Sequence, residues 1–176
     1  MKDLILKYRA VIKFLAVFSA SYVILYLFYA LFLKFSTTPD QFTTSISKQS
    51  VYILNQLDYP TTTKVNSEYK HIRLFINNIH IAGIAEGCNA ISIMILFIAF
   101  ILAFAKSVKK TVLFGLFGLL CIHVINILRI VFLIICLVRF PEFSEALHNF
   151  VFPGIIYSVV FVLWMFWVKS FQKTTT

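Results

Sequence analysis

Four long apolar runs, separated by polar stretches, dominate the sequence. They cover residues 11–35, 89–105, 111–138 and 151–168. A helix needs roughly 20 apolar residues to cross the hydrocarbon core of a bilayer, so each run is predicted to form a transmembrane helix. The first run is too long for the hydrophobic region of a signal peptide, and no A-x-A-like cleavage site follows it. We therefore expect it to be retained as the first membrane helix.

The stretch between the first two runs, residues 36–88, has patterns of its own. Residues 38–41 (Thr-Pro-Asp-Gln) are typical of a helix start, with Thr38 as the cap. Apolar residues then recur at four- and seven-residue spacing, which predicts an amphipathic helix: Phe42, Ile46, Ile53 and Leu57. Pro60 and the threonines after it break this pattern.

A β-hairpin is predicted further along the same stretch. Residues 71–76 and 79–82 are rich in β-branched side chains and flank Asn77-Asn78, a two-residue turn sequence. The predicted fold is therefore an all-α polytopic membrane protein. It forms a single domain over residues 1–176, with about four membrane helices and an ordered outer loop between the first two.

Composition and charge agree with a membrane location and give an orientation. Only 13% of the residues are charged, against about a quarter in soluble proteins. The net charge is +9, but most basic residues flank the apolar runs instead of forming the solvated basic face of a nucleic-acid-binding protein. Basic flanks mark the cytoplasmic side, and they predict that both termini and the linker around Lys109 are cytoplasmic: Lys2, Lys7, Arg9, Lys13, Lys106, Lys109, Lys110, Lys169 and Lys173.

Three rare polar residues are predicted to lie near one outer plane. Counted at about 1.5 Å per residue, Cys88 is roughly 27 Å from Lys106, Arg129 roughly 28 Å from Lys110, and His148 roughly 31 Å from Lys169. The hydrocarbon core is about 30 Å thick. The apolar run continues for nine residues after Arg129. The third helix must therefore tilt strongly, break after Arg129, or hold Arg129 deeper.

These residue types suit cysteine-dependent acyl transfer. A thiolate is a nucleophile, the forked guanidinium of Arg129 would stabilise the oxyanion or the thiolate, and His148 would be the general acid and base. Asn126, one turn before Arg129, is a supporting candidate that would hold the Arg side chain. Structural roles remain open, with Arg129 as an ion-pair partner of Glu86 or Glu142, and His71 and His80 are rivals to His148.

The three cysteines form no CxxC motif and are odd in number, so no disulfide and no metal site are expected.

Three segments resemble the exosortase/archaeosortase family of membrane cysteine transpeptidases: residues 86–91 (Glu-Gly-Cys-Asn-Ala-Ile), 126–130 (Asn-Ile-Leu-Arg-Ile) and 147–150 (Leu-His-Asn-Phe). Short length and the first segment look most like the exosortase F type of the Bacteroidetes lineage. Many members differ in reading Ala-Cys-Ser-Gly at the nucleophile. The resemblance assigns the family's Cys, Arg and His to Cys88, Arg129 and His148.

The same resemblance implies substrates, an acceptor and a location. Substrates would be exported surface-protein precursors ending in a recognition motif, a membrane helix and a basic tail. The acceptor would be a lipid or envelope amine, reached through a Cys thioester. The location would be the bacterial inner membrane, with the site on the periplasmic side. The resemblance implies no cofactor. The competing interpretations are a non-catalytic membrane scaffold and a small transporter subunit.

Overall fold

The structure is a computed structural model that describes residues 8–36, 39–66, 71–105, 107–143 and 146–172. Most of the described chain is helical. The helices are α1 (Arg9–Phe35), α2 (Gln41–Gln56), α3 (Ile91–Ala103), α4 (Val108–Arg139) and α5 (Phe152–Gln172). The strands are β1 (Thr61–Asn66), β2 (His71–Ile76) and β3 (Ile79–Ala85), and a π-helical turn, Leu147–Val151, leads into α5.

Three described helices are long and apolar enough to cross a membrane: Arg9–Phe35, Val108–Arg139 and Pro153–Ser170. The chain is thus a multi-pass membrane protein. The predicted second span, residues 89–105, forms the 13-residue helix α3, which is only about 20 Å long. A bilayer core of about 30 Å is longer than that, so the predicted count of four spans is not confirmed.

Helix α3 packs closely against α4. Phe97 of α3 is completely buried, and its ring lies where a side chain at Gly118 of α4 would have to stand. The absence of a Cβ at Gly118 therefore allows the two helices to approach. Ile101 of α3 and Ile122 of α4 belong to the same apolar cluster, which α5 completes with Ile156.

Between α1 and α3, helix α2 and an antiparallel sheet of order β1-β2-β3 form a small unit, residues 41–85, called here the loop subdomain. The predicted hairpin is present. Asn77 and Asn78 have φ of 49° and 66°, the left-handed values that a two-residue hairpin turn of this kind requires. The third strand, β1, was not predicted, because Thr61–Asn66 has no apolar alternation.

Helix α2 begins differently from the prediction. Its N-cap is Asp40, whose Oδ1 accepts hydrogen bonds from the backbone N–H groups of Phe42 (2.8 Å) and Thr43 (3.1 Å). The predicted cap, Thr38, lies outside the described residues. A carboxylate at this position satisfies free N–H groups of the first turn, so the helix starts at Gln41.

The buried face of α2 matches the predicted one only in part. Ile46 is buried and Ile53 packs against the same apolar cluster, as expected, whereas Phe42 and Leu57 are 46% and 49% exposed. Three of the five buried residues carry hydroxyl groups: Thr43, Ser47 and Ser50, beside Ile46 and Leu54. A pattern that counts only apolar residues leaves out this part of the face.

Helix α4 runs without a break from Val108 to Arg139, so a break after Arg129 is wrong. At 32 residues it is about 48 Å long, well beyond a bilayer core. Its last turns are buried against the loop subdomain in one apolar cluster: Ile127, Ile130, Val131 and Ile134 with Ile46, Leu54, Leu74, Ile76 and Ile84. The apolar run after Arg129 thus has a protein partner.

Candidate active site

Cys88 lies in a sharp turn that joins the sheet to the membrane helices. The 3₁₀ turn Glu86–Asn89 follows β3 directly, and Ala90 then takes a left-handed conformation with φ of 59° before α3 begins. The half-buried Cys88 packs against the apolar cluster between α4 and the loop subdomain. Next to it, the space that a side chain at Gly87 would occupy is open, so the turn has one accessible side.

Asn126 of α4 holds this turn. Its side-chain Nδ2 donates a 2.9 Å hydrogen bond to the backbone carbonyl of Cys88, and the residue is completely buried. Its Oδ1 has no hydrogen-bond partner within the described part of the chain. Asn126 was expected to hold Arg129, but the amide nitrogen is instead bonded to the backbone of the cysteine.

Arg129 follows Asn126 by one helical turn, which places the two side chains about 60° apart around α4. Its Nε is buried and has no hydrogen-bond partner in the described ranges. Within those ranges, no ion pair joins it to Glu86 or Glu142, the two acids considered as structural partners. The donor is therefore not committed to a structural contact there.

Arg129 borders an apolar groove of about 420 Å³ along α4. Leu57 at the end of α2 and Ile155 of α5 form parts of its lining, and Arg129 is the only charged residue among the described residues that line it. The exposed lining is almost entirely apolar, so the groove contacts the aliphatic part of the Arg129 side chain.

The backbone of His148 belongs to the π-helical turn before α5, while its side chain lies outside what the structure describes. Ile155, about two turns further along, lines the Arg129 groove. The start of α5 therefore adjoins the part of α4 that carries Arg129.

The described histidines have other surroundings. The ring of His80 packs edge-on against Phe75 with 5.5 Å between centroids, and five residues of strand, about 17 Å, separate His80 from the end of β3. His71 covers Gly83, and His123 Nε2 lies 2.9 Å from Gln49 Oε1. His80 and His123 are thus held away from the cysteine turn, whereas His71 pairs with Ala85, three residues before Cys88, and stays a rival to His148.

A buried polar network, not predicted from the sequence, anchors the residue after the cysteine. Asn89 Nδ2 donates to the hydroxyl of Tyr29 on α1 (3.0 Å) and to Thr43 Oγ1 on α2 (3.3 Å), and its Oδ1 accepts from the N–H of Ile91 (3.0 Å). Thr43 Oγ1 in turn donates to Asp40 Oδ2 (2.6 Å). The turn is thereby tied to α1, α2 and α3 together.

The fold and this turn define a class: a multi-pass membrane protein with a thiol at a strand–turn–helix junction. A family profile described as transmembrane exosortase matches residues 9–168, which is most of the chain. The chain belongs to the transmembrane exosortase family. No curated protein and no solved structure matches it. Family membership indicates a membrane cysteine peptidase or transpeptidase that acts on sorting signals.

Proposed function

We propose that this chain is a membrane cysteine transpeptidase with Cys88 as nucleophile, Arg129 as stabiliser of the thiolate and oxyanion, and His148 as general acid and base. One observation carries the proposal. Asn126 binds the carbonyl of Cys88 at 2.9 Å, and on the next turn Arg129 has a buried Nε without a partner in the described chain. The backbone of the candidate nucleophile is thus bonded to the same helix that carries an arginine with an unpartnered Nε.

The reaction would proceed in two acyl transfers. The Cys88 sulfur attacks the carbonyl carbon of a peptide bond, and the negative charge that forms on oxygen is stabilised by Arg129. The C–N bond breaks, His148 protonates the leaving amine, and a thioester remains on Cys88. An acceptor amine then attacks the thioester, gives up a proton to His148, and breaks the C–S bond to regenerate the thiolate.

The substrates would be exported surface-protein precursors with a C-terminal recognition motif, a membrane helix and a basic tail. The acceptor would be a lipid or envelope amine. Basic residues around the apolar runs support cytoplasmic termini, which would put the loop subdomain and Cys88 on the periplasmic side of a bacterial inner membrane. Residues 86–89 (Glu-Gly-Cys-Asn) favour the exosortase F type of Bacteroidetes.

Replacing the nucleophile tests the proposal most directly. We expect Cys88→Ala, Arg129→Ala and His148→Ala cells to accumulate the same full-length precursors, identified by mass spectrometry of C-terminal peptides, while each variant still reaches the membrane. Cys121→Ala is the matched control, because it removes a thiol of α4 that lies outside the cysteine turn. Normal processing in Cys88→Ala cells would refute the enzyme and favour the scaffold alternative.

The mass of the new C-terminus distinguishes transfer from hydrolysis. Transfer predicts an amide-linked adduct on the last residue, whereas hydrolysis predicts a free carboxylate. Hydroxylamine, a strong amine nucleophile, should intercept the thioester and leave a hydroxamate at the same residue. A hydroxamate that forms equally in Cys88→Ala membranes would exclude a thioester on Cys88.

A further inference from the structure

The strand that leads into Cys88 is an open edge of the sheet. β3 pairs with β2 on one side, and within the described ranges no other hydrogen bond to its backbone is present. Ile79, His80, Gly83 and Ala85 are exposed along it. An edge strand of this kind offers unpaired N–H and C=O groups to any extended chain that comes beside it.

The two edges of the sheet differ in how they are protected. β1 at the opposite edge carries Lys64, and both its first N–H and its first C=O, at Thr61, are bonded by the side chain of Asn55. Charged residues and covering contacts are the usual protection of edge strands against unwanted pairing. β3, with the sequence Ile-His-Ile-Ala-Gly-Ile-Ala, has no Lys, Arg, Asp, Glu or Pro. The pairing of β3 with β2 shifts register at Ile81, so the regular edge that lacks charged and covering residues is residues 82–85. This part of the strand continues into the candidate nucleophile.

Chain continuity places this edge within reach of the thiol. Cys88 is the third residue after Ala85 and lies in a 3₁₀ turn, so the end of β3 and the cysteine are about 6 Å apart along the turn. A peptide paired with the last residues of β3 would therefore reach the turn that carries Cys88. The open space beside Gly87 leaves room for it.

We propose that β3 binds the substrate: the extended segment before the membrane helix of the precursor adds to its free edge as a fourth strand. The inference rests on the proposed function and specifies how that site takes its substrate. Backbone hydrogen bonds would supply affinity with little sequence demand, as in other β-strand additions. The bound peptide would then pass the thiol as it leaves the sheet.

The direction of the added strand follows from the connection to the membrane helices. β3 runs toward the start of α3, and a precursor chain also runs from its exported part toward its own membrane helix. The added strand must therefore be parallel to β3. Residues next to the precursor's membrane helix would lie near Ala85, and residues about six positions upstream would lie near Ile79.

Disulfide mapping in membranes tests both the pairing and its direction. The full-length chain carries Cys88→Ala, Cys121→Ala and Cys136→Ala, and receives either Ala85→Cys or Ile79→Cys. The probe is a precursor that accumulates in Cys88→Ala cells, with single cysteines placed along the segment before its membrane helix. Adjacent strands are about 4.8 Å apart, within the Cα separation that a disulfide bridges, so mild oxidation should join opposed positions.

The expected result is a parallel register. Ala85→Cys should couple to precursor positions next to the membrane helix, and Ile79→Cys to positions about six residues upstream, each with a yield at least several-fold above its neighbours. Val65→Cys is the control, because this residue is 61% exposed on the protected strand β1, and it should couple to none. A reversed order, uniform coupling, or equal coupling at Val65→Cys would overturn the inference.

Failure of this inference is distinguishable from failure of the proposed function. If Cys88→Ala cells accumulate precursors but the disulfide yields show no preferred register, the catalytic proposal stands and β3 is not the binding edge. If no precursor accumulates, the proposed function fails, and the substrate role of β3 fails with it.

Discussion

At the residue scale, some candidate site residues can be recognised in the sequence because their types are rare there. Other contacts near Cys88 are visible only in the folded structure. Cys88 and Arg129 could be proposed from the sequence, because polar residues are rare in apolar runs and helical rise estimates their depth, and their roles stay predictions. The partners of Asn89 could not be proposed in this way, since Tyr29 and Thr43 precede it by 60 and 46 residues. Nothing in the local sequence distinguishes Tyr29 and Thr43 from other helix residues. Only the packing of the helices brings their hydroxyl groups to Asn89.

The bond from Asn126 to the Cys88 carbonyl should matter for reactivity. Asn126→Ala leaves that carbonyl without its partner, and Asn126→Asp sets a carboxylate against it. Both should slow precursor processing about fivefold or more, given roughly 1–3 kcal/mol for a lost buried partner. The measurement is the processing rate, together with the rate of Cys88 alkylation. His123→Ala removes another polar contact of α4 and serves as the control. Equal slowing by His123→Ala would mean that the effect is not specific to the turn.

The hydroxyl of Tyr29 should position the turn from the first membrane helix. Tyr29→Phe removes the acceptor for Asn89 Nδ2, and a hydrogen bond worth about 0.5–1.5 kcal/mol predicts a few-fold lower processing rate at unchanged protein level. Tyr26→Phe is the matched control, because Tyr26 lies about one turn earlier on α1 and is 47% exposed. Identical rates in the two variants would contradict a positioning role.

At the element scale, apolar periodicity predicted where helices lie better than which side they bury. α1, α4 and α5 follow their runs closely, because long apolar segments have few alternatives in lipid. α2 buries Ser47 and Ser50 where Phe42 had been expected, and β1 is a strand of threonines that pairs only because β2 lies beside it. These choices depend on neighbours distant in sequence, which a local pattern does not contain.

The contact between α3 and α4 should depend on Gly118. Gly118→Ala introduces a Cβ into the space of the buried Phe97 ring, and overpacking of this kind costs about 1–3 kcal/mol. We expect lower thermal stability of the detergent-solubilised protein. Gly154→Ala makes the same change in α5, where no atom lies within 4 Å of the added carbon, and should be neutral or slightly stabilising. Similar losses in both variants would contradict the close contact.

At the scale of the whole molecule, the apolar runs and their basic flanks predict the topology, and the structure adds how the loop subdomain is attached. The long third run looked inconsistent with one bilayer crossing. Its excess length is explained by the cluster around Ile130 and Ile134, which buries the last turns of α4 against the sheet. Sequence alone did not show this, because a residue facing lipid and a residue facing a protein core are equally apolar.

The orientation has a direct test. In intact cells, a membrane-impermeant maleimide should label Val65→Cys on the loop subdomain and should label Lys109→Cys only after the membrane is opened. The background is Cys88→Ala, Cys121→Ala and Cys136→Ala, so that each variant carries one thiol. Labelling of Lys109→Cys in intact cells would reverse the topology and place Cys88 on the cytoplasmic side.

Because α4 is uninterrupted, it sets a fixed distance between the membrane and the cysteine turn. One continuous helix crosses the membrane and then packs against the loop subdomain, so α4 contains no hinge between the two. Asn126 of the same helix is hydrogen-bonded to the cysteine turn. If Cys88 is the nucleophile, the height of the cut above the bilayer is then set by the enzyme. Inserting three or four residues between the cleavage motif and the membrane helix of a precursor should move the motif off that height and abolish cleavage, even with every motif residue intact.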